Sequence, residues 1–81
     1  MFSEKFGAKE IAQFSVFKSS PLIGRGLQEV SKYARVVGVI RGNDVVENLF
    51  DPAFVLQEDD TLLVLGDPSN LGLLENRAKA T

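Results

Sequence analysis

The chain has 81 residues, a formal net charge of −2, and neither cysteine nor histidine. The missing residue types exclude disulfides, the usual zinc and iron–sulfur sites, and every nucleophile that depends on a histidine base. The slightly acidic charge disfavours binding to a nucleic acid polymer, because general polyanion binders are normally basic. A hydrophobic share of 44% and a charged share of 25% are ordinary for one small globular domain.

The first residues carry little periodicity. Residues 1–9 are mostly polar and contain Gly7, so we expect a disordered or linker start there, followed by one domain over residues 10–78 and a tail over 79–81. From Glu10 the pattern alternates, with Ala12, Phe14 and Val16 on one face. This alternation predicts a strand of about eight residues.

A helix is predicted after the break at Ser19-Ser20-Pro21. Apolar residues recur there at helical spacing, namely Ile23, Leu27, Val30 and Ala34. Gly24 and Gly26 weaken the first turn, so the regular part is expected from about residue 25 to residue 33.

The middle of the chain predicts a β-hairpin. Residues 35–41 are rich in β-branched side chains, Gly42-Asn43 suits a two-residue turn, and residues 44–48 return as the partner strand. Simple alternation places Val37 and Val39 on the same face as Arg35 and Arg41. We expect this face to be the outer one, turned away from the helices.

The last third predicts a central strand and a second helix. Residues 61–65 are wholly apolar after Thr61, and Asp67-Pro68 is a sound helix start. The order β-α-β-β-β-α predicts a two-layer α+β fold, with a mostly antiparallel or mixed four-stranded sheet and both helices on one face. The apolar outer face is then either a tolerated exposed patch or, as we favour, a homodimer interface or a ligand groove.

Three segments resemble the signatures of one family. Residues 20–27, Ser-Pro-Leu-Ile-Gly-Arg-Gly-Leu, resemble its opening Ser-Pro-Leu-x-Gly-Lys-x-Leu pattern. Residues 36–42 resemble its valine-rich strand ending in a basic residue and glycine, and residues 56–66 resemble its closing Leu-x-x-Gly-Asp-x-Leu-x-Val-x-Gly pattern. The sequence is therefore similar to TrkA-C domains, the C-terminal lobes of the module that regulates potassium conductance. One departure is Asp59, where the family usually has the glycine of a left-handed turn, a conformation that aspartate tolerates better than most residues.

The resemblance implies a ligand-sensing, dimerising cytoplasmic regulatory domain of a potassium channel, a potassium uptake system or a cation antiporter. Such a domain would lie at the inner face of the cell membrane and would be one piece of a longer polypeptide. Its partners would be a second copy, through the outer sheet face, and a membrane-embedded channel or transporter. The alternative is a purely structural dimerisation module without a small-molecule ligand.

Some members of the family bind cyclic di-AMP between two lobes, and this nucleotide is the expected effector. At a two-fold axis each phosphate needs a cation, and the bases need apolar walls. Arg41 suits the phosphate, Asn43 or Asn48 could donate hydrogen bonds, and the walls would come from Val37, Val39 and Val46. The alternative for Arg41 is a surface ion pair with Asp44 or Glu47.

Two other classes of site have less support. Some relatives bind divalent cations, but Ca²⁺ needs six to eight oxygens, and the adjacent residues Glu58, Asp59 and Asp60 would diverge on an extended segment. We therefore expect these three residues to form a solvated acidic corner. Ser19 and Ser20 have no histidine base, and nothing indicates a dyad with Lys18 or Lys32. We therefore expect no resident cofactor or metal and no enzymatic activity.

Overall fold

The computed structural model describes residues 2–79. In that range the chain forms five strands and two helices: β1 (Phe2–Phe6), β2 (Lys9–Ser15), α1 (Leu27–Ser31), β3 (Arg35–Arg41), β4 (Asp44–Val45), β5 (Thr61–Gly66) and α2 (Pro68–Lys79). The strands form one sheet in the order β1-β2-β5-β3-β4, with every neighbouring pair antiparallel. The predicted α+β class is confirmed, but the sheet has five strands instead of four.

The additional strand is β1, in the segment predicted to be a disordered or linker start. Gly7 adopts a φ of 66°, a conformation that glycine reaches without steric cost. The chain therefore turns back at Gly7-Ala8, and Phe6 pairs with Lys9 across the hairpin. Sequence reasoning took this glycine as an interruption of a polar stretch and missed the turn.

The core lies between the helices and one face of the sheet. Strand β5 is central, as predicted, because Val64 pairs with Ala12 on one side and with Val36 on the other. The buried side chains from the sheet and helices include Phe14, Val16, Leu22, Leu27, Val30, Leu56, Leu62, Leu71 and Leu74. Leu71, Leu74 and Ala78 of α2 are all buried, so they form the face of that helix that packs onto the core.

The bounds of both helices differ from the predicted ones. Helix α1 has five residues and begins after Gly26, which has extended backbone and no side-chain cap. Its predicted stripe began at Ile23, but Ile23 lies in a turn and is exposed, while Leu22 is buried in the core. Helix α2 continues to Lys79, which was assigned to the tail. Residues 80 and 81 of that predicted tail lie outside the described residues.

A bulge in β3 changes which side chains face the core. The register against β5 shifts between Val36 and Gly38, so the alternation does not run evenly along the strand. Val39 is 0% exposed and belongs to the core, whereas Val37 is 49% exposed. The prediction that both valines lie on the outer face is therefore wrong for Val39. Arg41 shares the parity of Val39 beyond the bulge and so lies on the helix side as well.

The predicted left-handed turn before β5 is confirmed at Asp59, whose φ is 69°. Its backbone N–H donates to the carbonyl of Val16 at 2.8 Å, and the N–H of Val16 donates to the carbonyl of Asp60 at the same distance. The turn thereby extends the pairing of β2 with β5 by one step. It also directs the side chain of Asp60 into the protein, where it is 1% exposed.

The opposite face of the sheet carries no helix among the described elements. We call it the outer face and define it by its apolar residues, which alternate with core positions: Ile11, Ile40, Val45, Leu63 and Leu65. Val45 is strongly exposed, and the other four are half-buried. The outer face is therefore apolar, as predicted, but it is composed largely of residues other than those that simple alternation selected.

Candidate functional site

The most strongly structured polar feature is the ion pair of Arg41 with Asp60. Arg41 stands at the end of β3, and Asp60 immediately precedes β5. The Arg41 Nε donates to Asp60 Oδ1 at 2.8 Å, and Nη2 donates to Oδ2 at 2.8 Å. This two-point geometry combines charge with fixed orientation. The Asp60 side chain is 1% exposed and that of Arg41 is 37% exposed, so the pair lies at the boundary between core and solvent.

Further contacts extend this pair into a clamp. Nη2 of Arg41 also donates to the carbonyl of Val55 at 3.0 Å, and the guanidinium lies 5.1 Å from the centre of the Phe54 ring. The backbone N–H of Gln57 donates to Asp60 Oδ2 at 2.9 Å. We call these residues the Arg41 clamp. It fastens the loop over residues 54–57 to the sheet.

The contacts of the Arg41 clamp set the direction of the pKa shift of Arg41. The hydrogen bond to Asp60 raises the pKa of the guanidinium above its ordinary value, against the opposing effect of partial burial. The alternative prediction for Arg41 was right that it forms an ion pair, but it named the wrong partner and expected the pair to lie at the surface. Arg41 is held by an acid, but that acid is Asp60 and neither Asp44 nor Glu47.

A small cleft beside the clamp brings together three of the six predicted ligand-binding residues. It has a volume of about 230 Å³ and is lined by Arg41, Val46, Asn48, Asp51, Ala53, Phe54, Val55 and Gln57. We call it the Arg41 cleft. The other three predicted residues do not line it: Val39 is in the core, Val37 is in the bulge, and Asn43 is exposed in the hairpin turn.

The chemistry of the Arg41 cleft is only partly suited to a phosphate. The Nη1 edge of Arg41 takes no part in the bonds to Asp60 and Val55, so it can donate to a ligand. Against it stand the carboxylates of Asp51 and Asp60. The volume also lies below the range of about 300–1,000 Å³ that is usual for pockets enclosing a whole small molecule. The Arg41 cleft of one copy is therefore too small to enclose a whole small molecule.

A larger groove lies between α1 and the loop over residues 49–55. Its volume is about 550 Å³, and its apolar lining includes Leu27, Leu49, Phe50 and Phe54. Phe50 is 94% exposed. No lysine or arginine lines the groove, so it lacks a cation for a phosphate. Sequence reasoning missed it because residues 49–60 have no periodicity, although the apolar pair Leu49-Phe50 beside Asp51-Pro52 was an available signal.

Within residues 2–79, no group of three or more carboxylates is arranged to hold a metal ion. At the acidic corner, Glu58 and Asp59 are exposed, while Asp60 is engaged by Arg41. Neither of the two helices in this range has the length and apolarity of a membrane span.

The fold and the clamp define a small two-layer α+β domain with a shallow polar cleft at one end of its sheet. A family model, the TrkA-C domain, matches residues 11–79, so the chain belongs to the TrkA-C domain family. This membership confirms the resemblance of the three sequence signatures. The family comprises non-catalytic regulatory domains of potassium and other cation transport systems. A comparison with individually curated proteins found no match. Strand β1 precedes the matched segment.

Proposed function

We propose that this domain dimerises and senses a phosphate-bearing ligand, and that it thereby regulates a potassium channel, a potassium uptake system or a cation antiporter from the cytoplasmic side of the membrane. The observation that carries the proposal is the Arg41 cleft, where Arg41, Val46 and Asn48 meet. Cyclic di-AMP is the proposed effector, and Ca²⁺ is the disfavoured alternative.

The size of the cleft supports a ligand shared by two copies. A volume of about 230 Å³ is below the usual range for a pocket that encloses a whole small molecule, as expected if each copy contacts only part of the ligand. Two clefts related by a two-fold axis would present one Nη1 edge to each phosphate, and Phe54 and Val46 would supply apolar surface for the bases. The fixed orientation of Arg41 favours such recognition, because little side-chain freedom remains to be lost on binding.

The proposed mechanism is a population shift between two pairings. Arg41 lies on the helix side of the sheet, and the outer face is on the other side. A pair of chains joined through the outer face therefore cannot also share one ligand between their Arg41 clefts. A ligand that bridges the clefts would favour cleft-to-cleft pairing over outer-face pairing, and the change would be transmitted to the attached gate.

The second candidate is a purely structural dimerisation module without a small-molecule ligand. One observation favours it: the Arg41 clamp already occupies Nε and Nη2 of the guanidinium with Asp60 and Val55. In this alternative Arg41 holds the loop over residues 54–57 and has no further role.

Isothermal titration of the 81-residue chain with cyclic di-AMP, with molecular mass followed by light scattering, tests the two candidates. We expect saturable heat at one nucleotide per two chains. Asn48→Ala should weaken binding about tenfold, the cost of one good hydrogen bond, while Asn43→Ala, an exposed asparagine outside the cleft, should leave binding unchanged. A stable dimer without heat would refute the sensor and support the structural module. Saturable heat on titration with CaCl₂ instead would replace the nucleotide with the cation.

A further inference from the structure

One row of residues crosses the outer face with opposite charges at its two ends. Glu4 on β1 pairs with Ile11 on β2, Ile11 pairs with Leu65 on β5, and Leu65 pairs with Arg35 on β3. The row thus runs acidic, apolar, apolar, basic over four adjacent strands. Both charged residues are exposed, and neither forms an ion pair within residues 2–79.

A pair of charged residues lies beside this row, and here the positive residue is on the β2 side and the negative residue on the β5 side. Lys9 lies on β2, and Asp67 directly follows β5, with Lys9 Nζ 2.9 Å from Asp67 Oδ1. In the row and in this pair, the line between β2 and β5 separates a positive residue from a negative one. A half-turn about this line exchanges the sign at every charged position.

We propose that a second copy of this chain covers the outer face, related by a two-fold axis that runs parallel to the strands between β2 and β5. Glu4 of each copy then faces Arg35 of the other, and Ile11 faces Leu65 of the other. An isologous dimer requires a surface that is complementary to itself after a half-turn, whereas an unrelated partner does not require this.

The charges also select this axis over the other one in the plane of the sheet. An axis perpendicular to the strands would place Glu4 over Glu4 and Arg35 over Arg35, and opposed like charges are destabilising. Aligned sheets pack about 10 Å apart, a gap that a glutamate and an arginine side chain can span together. Electrostatic complementarity of this kind fixes the register of an interface.

This inference rests on the dimerisation part of the proposed function and adds its geometry. It also involves a residue that the family match does not contain, since Glu4 lies on β1 and the match begins at residue 11. The hairpin that adds β1 to the sheet therefore supplies the acidic half of the proposed pair.

Charge reversal on the full chain tests the axis, with dimer dissociation followed by light scattering and sedimentation equilibrium. Each single reversal, Glu4→Arg or Arg35→Glu, turns two attractive pairs into two repulsive ones and should weaken the dimer about tenfold. The double reversal should restore the affinity of the native chain. Glu58→Arg and Arg25→Glu make the same changes in net charge at exposed positions away from the outer face, and they should have no effect.

Leu63→Lys, in the middle of the outer face, separates failure of the axis from failure of the dimer. If this variant is monomeric while the charge reversals leave dissociation unchanged, the axis is wrong and the proposed dimer stands. If the native chain is monomeric, or if Leu63→Lys dimerises as well as the native chain, both the axis and the outer-face dimer are overturned. Rescue by the double reversal, together with loss in Leu63→Lys, establishes both. Circular dichroism verifies that each variant is folded.

Discussion

Removal of the buried carboxylate at Asp60 should be among the most destabilising changes that the domain allows at a polar residue. This carboxylate accepts three hydrogen bonds, two from Arg41 and one from the backbone of Gln57. Removing one partner of a fully buried ion pair costs about 3–5 kcal/mol. Because the Arg41 side chain is 37% exposed, water can solvate the released guanidinium and reduce that cost. For Asp60→Ala we therefore expect a loss of about 2–3 kcal/mol in the free energy of unfolding.

The reverse truncation should cost more. Arg41→Ala leaves the carboxylate of Asp60 at 1% exposure with only the N–H of Gln57 as its donor. A buried charge without a counterion is less tolerable than a half-exposed one, so we expect a loss of about 3–4 kcal/mol. A domain of this length has a total stability of only about 4–12 kcal/mol. Either variant therefore removes a large share of it.

Urea unfolding with linear extrapolation measures both losses. Lys9→Ala is the matched control, because its ion pair with Asp67 is about half exposed and should contribute less than about 1 kcal/mol. The reasoning is refuted if Asp60→Ala costs no more than Lys9→Ala, or if it costs more than Arg41→Ala. The first result would mean that the clamp contributes no stability, and the second that the exposure of Arg41 does not help to solvate it.

The pH dependence of the Arg41 clamp follows from the direction in which the pKa of Arg41 is shifted. Asp60 raises the folded-state pKa of Arg41. The contribution of this ion pair to stability is therefore complete below the unfolded-state pKa of Arg41 and is lost only as the pH rises through the folded-state pKa. Arginine already keeps its proton through neutral and moderately alkaline pH, and the shift extends that range upward. The difference in stability between Arg41→Ala and the native chain should therefore be the same at pH 7 and at pH 10. A smaller difference at pH 10 would contradict this assignment.

Three further substitutions test the fold. Val39→Ala should cost about 2–3 kcal/mol because Val39 is in the core, whereas Val37→Ala should cost less than about 0.5 kcal/mol; equal losses by urea unfolding would refute the bulge. Asp59→Gly should raise the stability by about 0.5 kcal/mol because glycine adopts a left-handed conformation more easily, and a lower melting temperature would count against it. Ser20→Ala should cost about 1–2 kcal/mol, because the Ser20 hydroxyl donates to the carbonyl of Arg77 at 2.7 Å; an unchanged unfolding midpoint would exclude this role.

Local signals in the sequence were sufficient for most of the elements. Gly42-Asn43 predicted the hairpin turn and Asp67-Pro68 the start of α2, because both depend on the backbone preferences of the residues themselves. The left-handed conformation at Asp59 followed from the family signature, which usually has a glycine at this position. The side of the sheet on which Val39 lies could not be predicted in this way, because the bulge that precedes Val39 arises from pairing with β5, far along the chain.

The candidate site was less predictable than the fold. Arg41 and Asp60 are separated by 19 residues, and no spacing rule relates the end of one strand to the residue before another. Sequence reasoning placed Asp60 in a solvated acidic corner with Glu58 and Asp59, because adjacent acidic residues usually face water. The turn at Asp59 reverses the chain and buries the last of the three. Whether the Arg41 cleft binds a nucleotide stays a prediction.

The position of β5 has a consequence for how the domain is assembled. The last of the five described strands is the middle strand of the sheet, with the β1–β2 hairpin on one side and β3 and β4 on the other. During synthesis both of those hairpins emerge first, and an isolated hairpin is marginally stable in water. They share no hydrogen-bonded edge until β5 lies between them. The domain therefore gains its cooperativity late, in a single joining step between distant segments, and such non-local pairing is intrinsically slow.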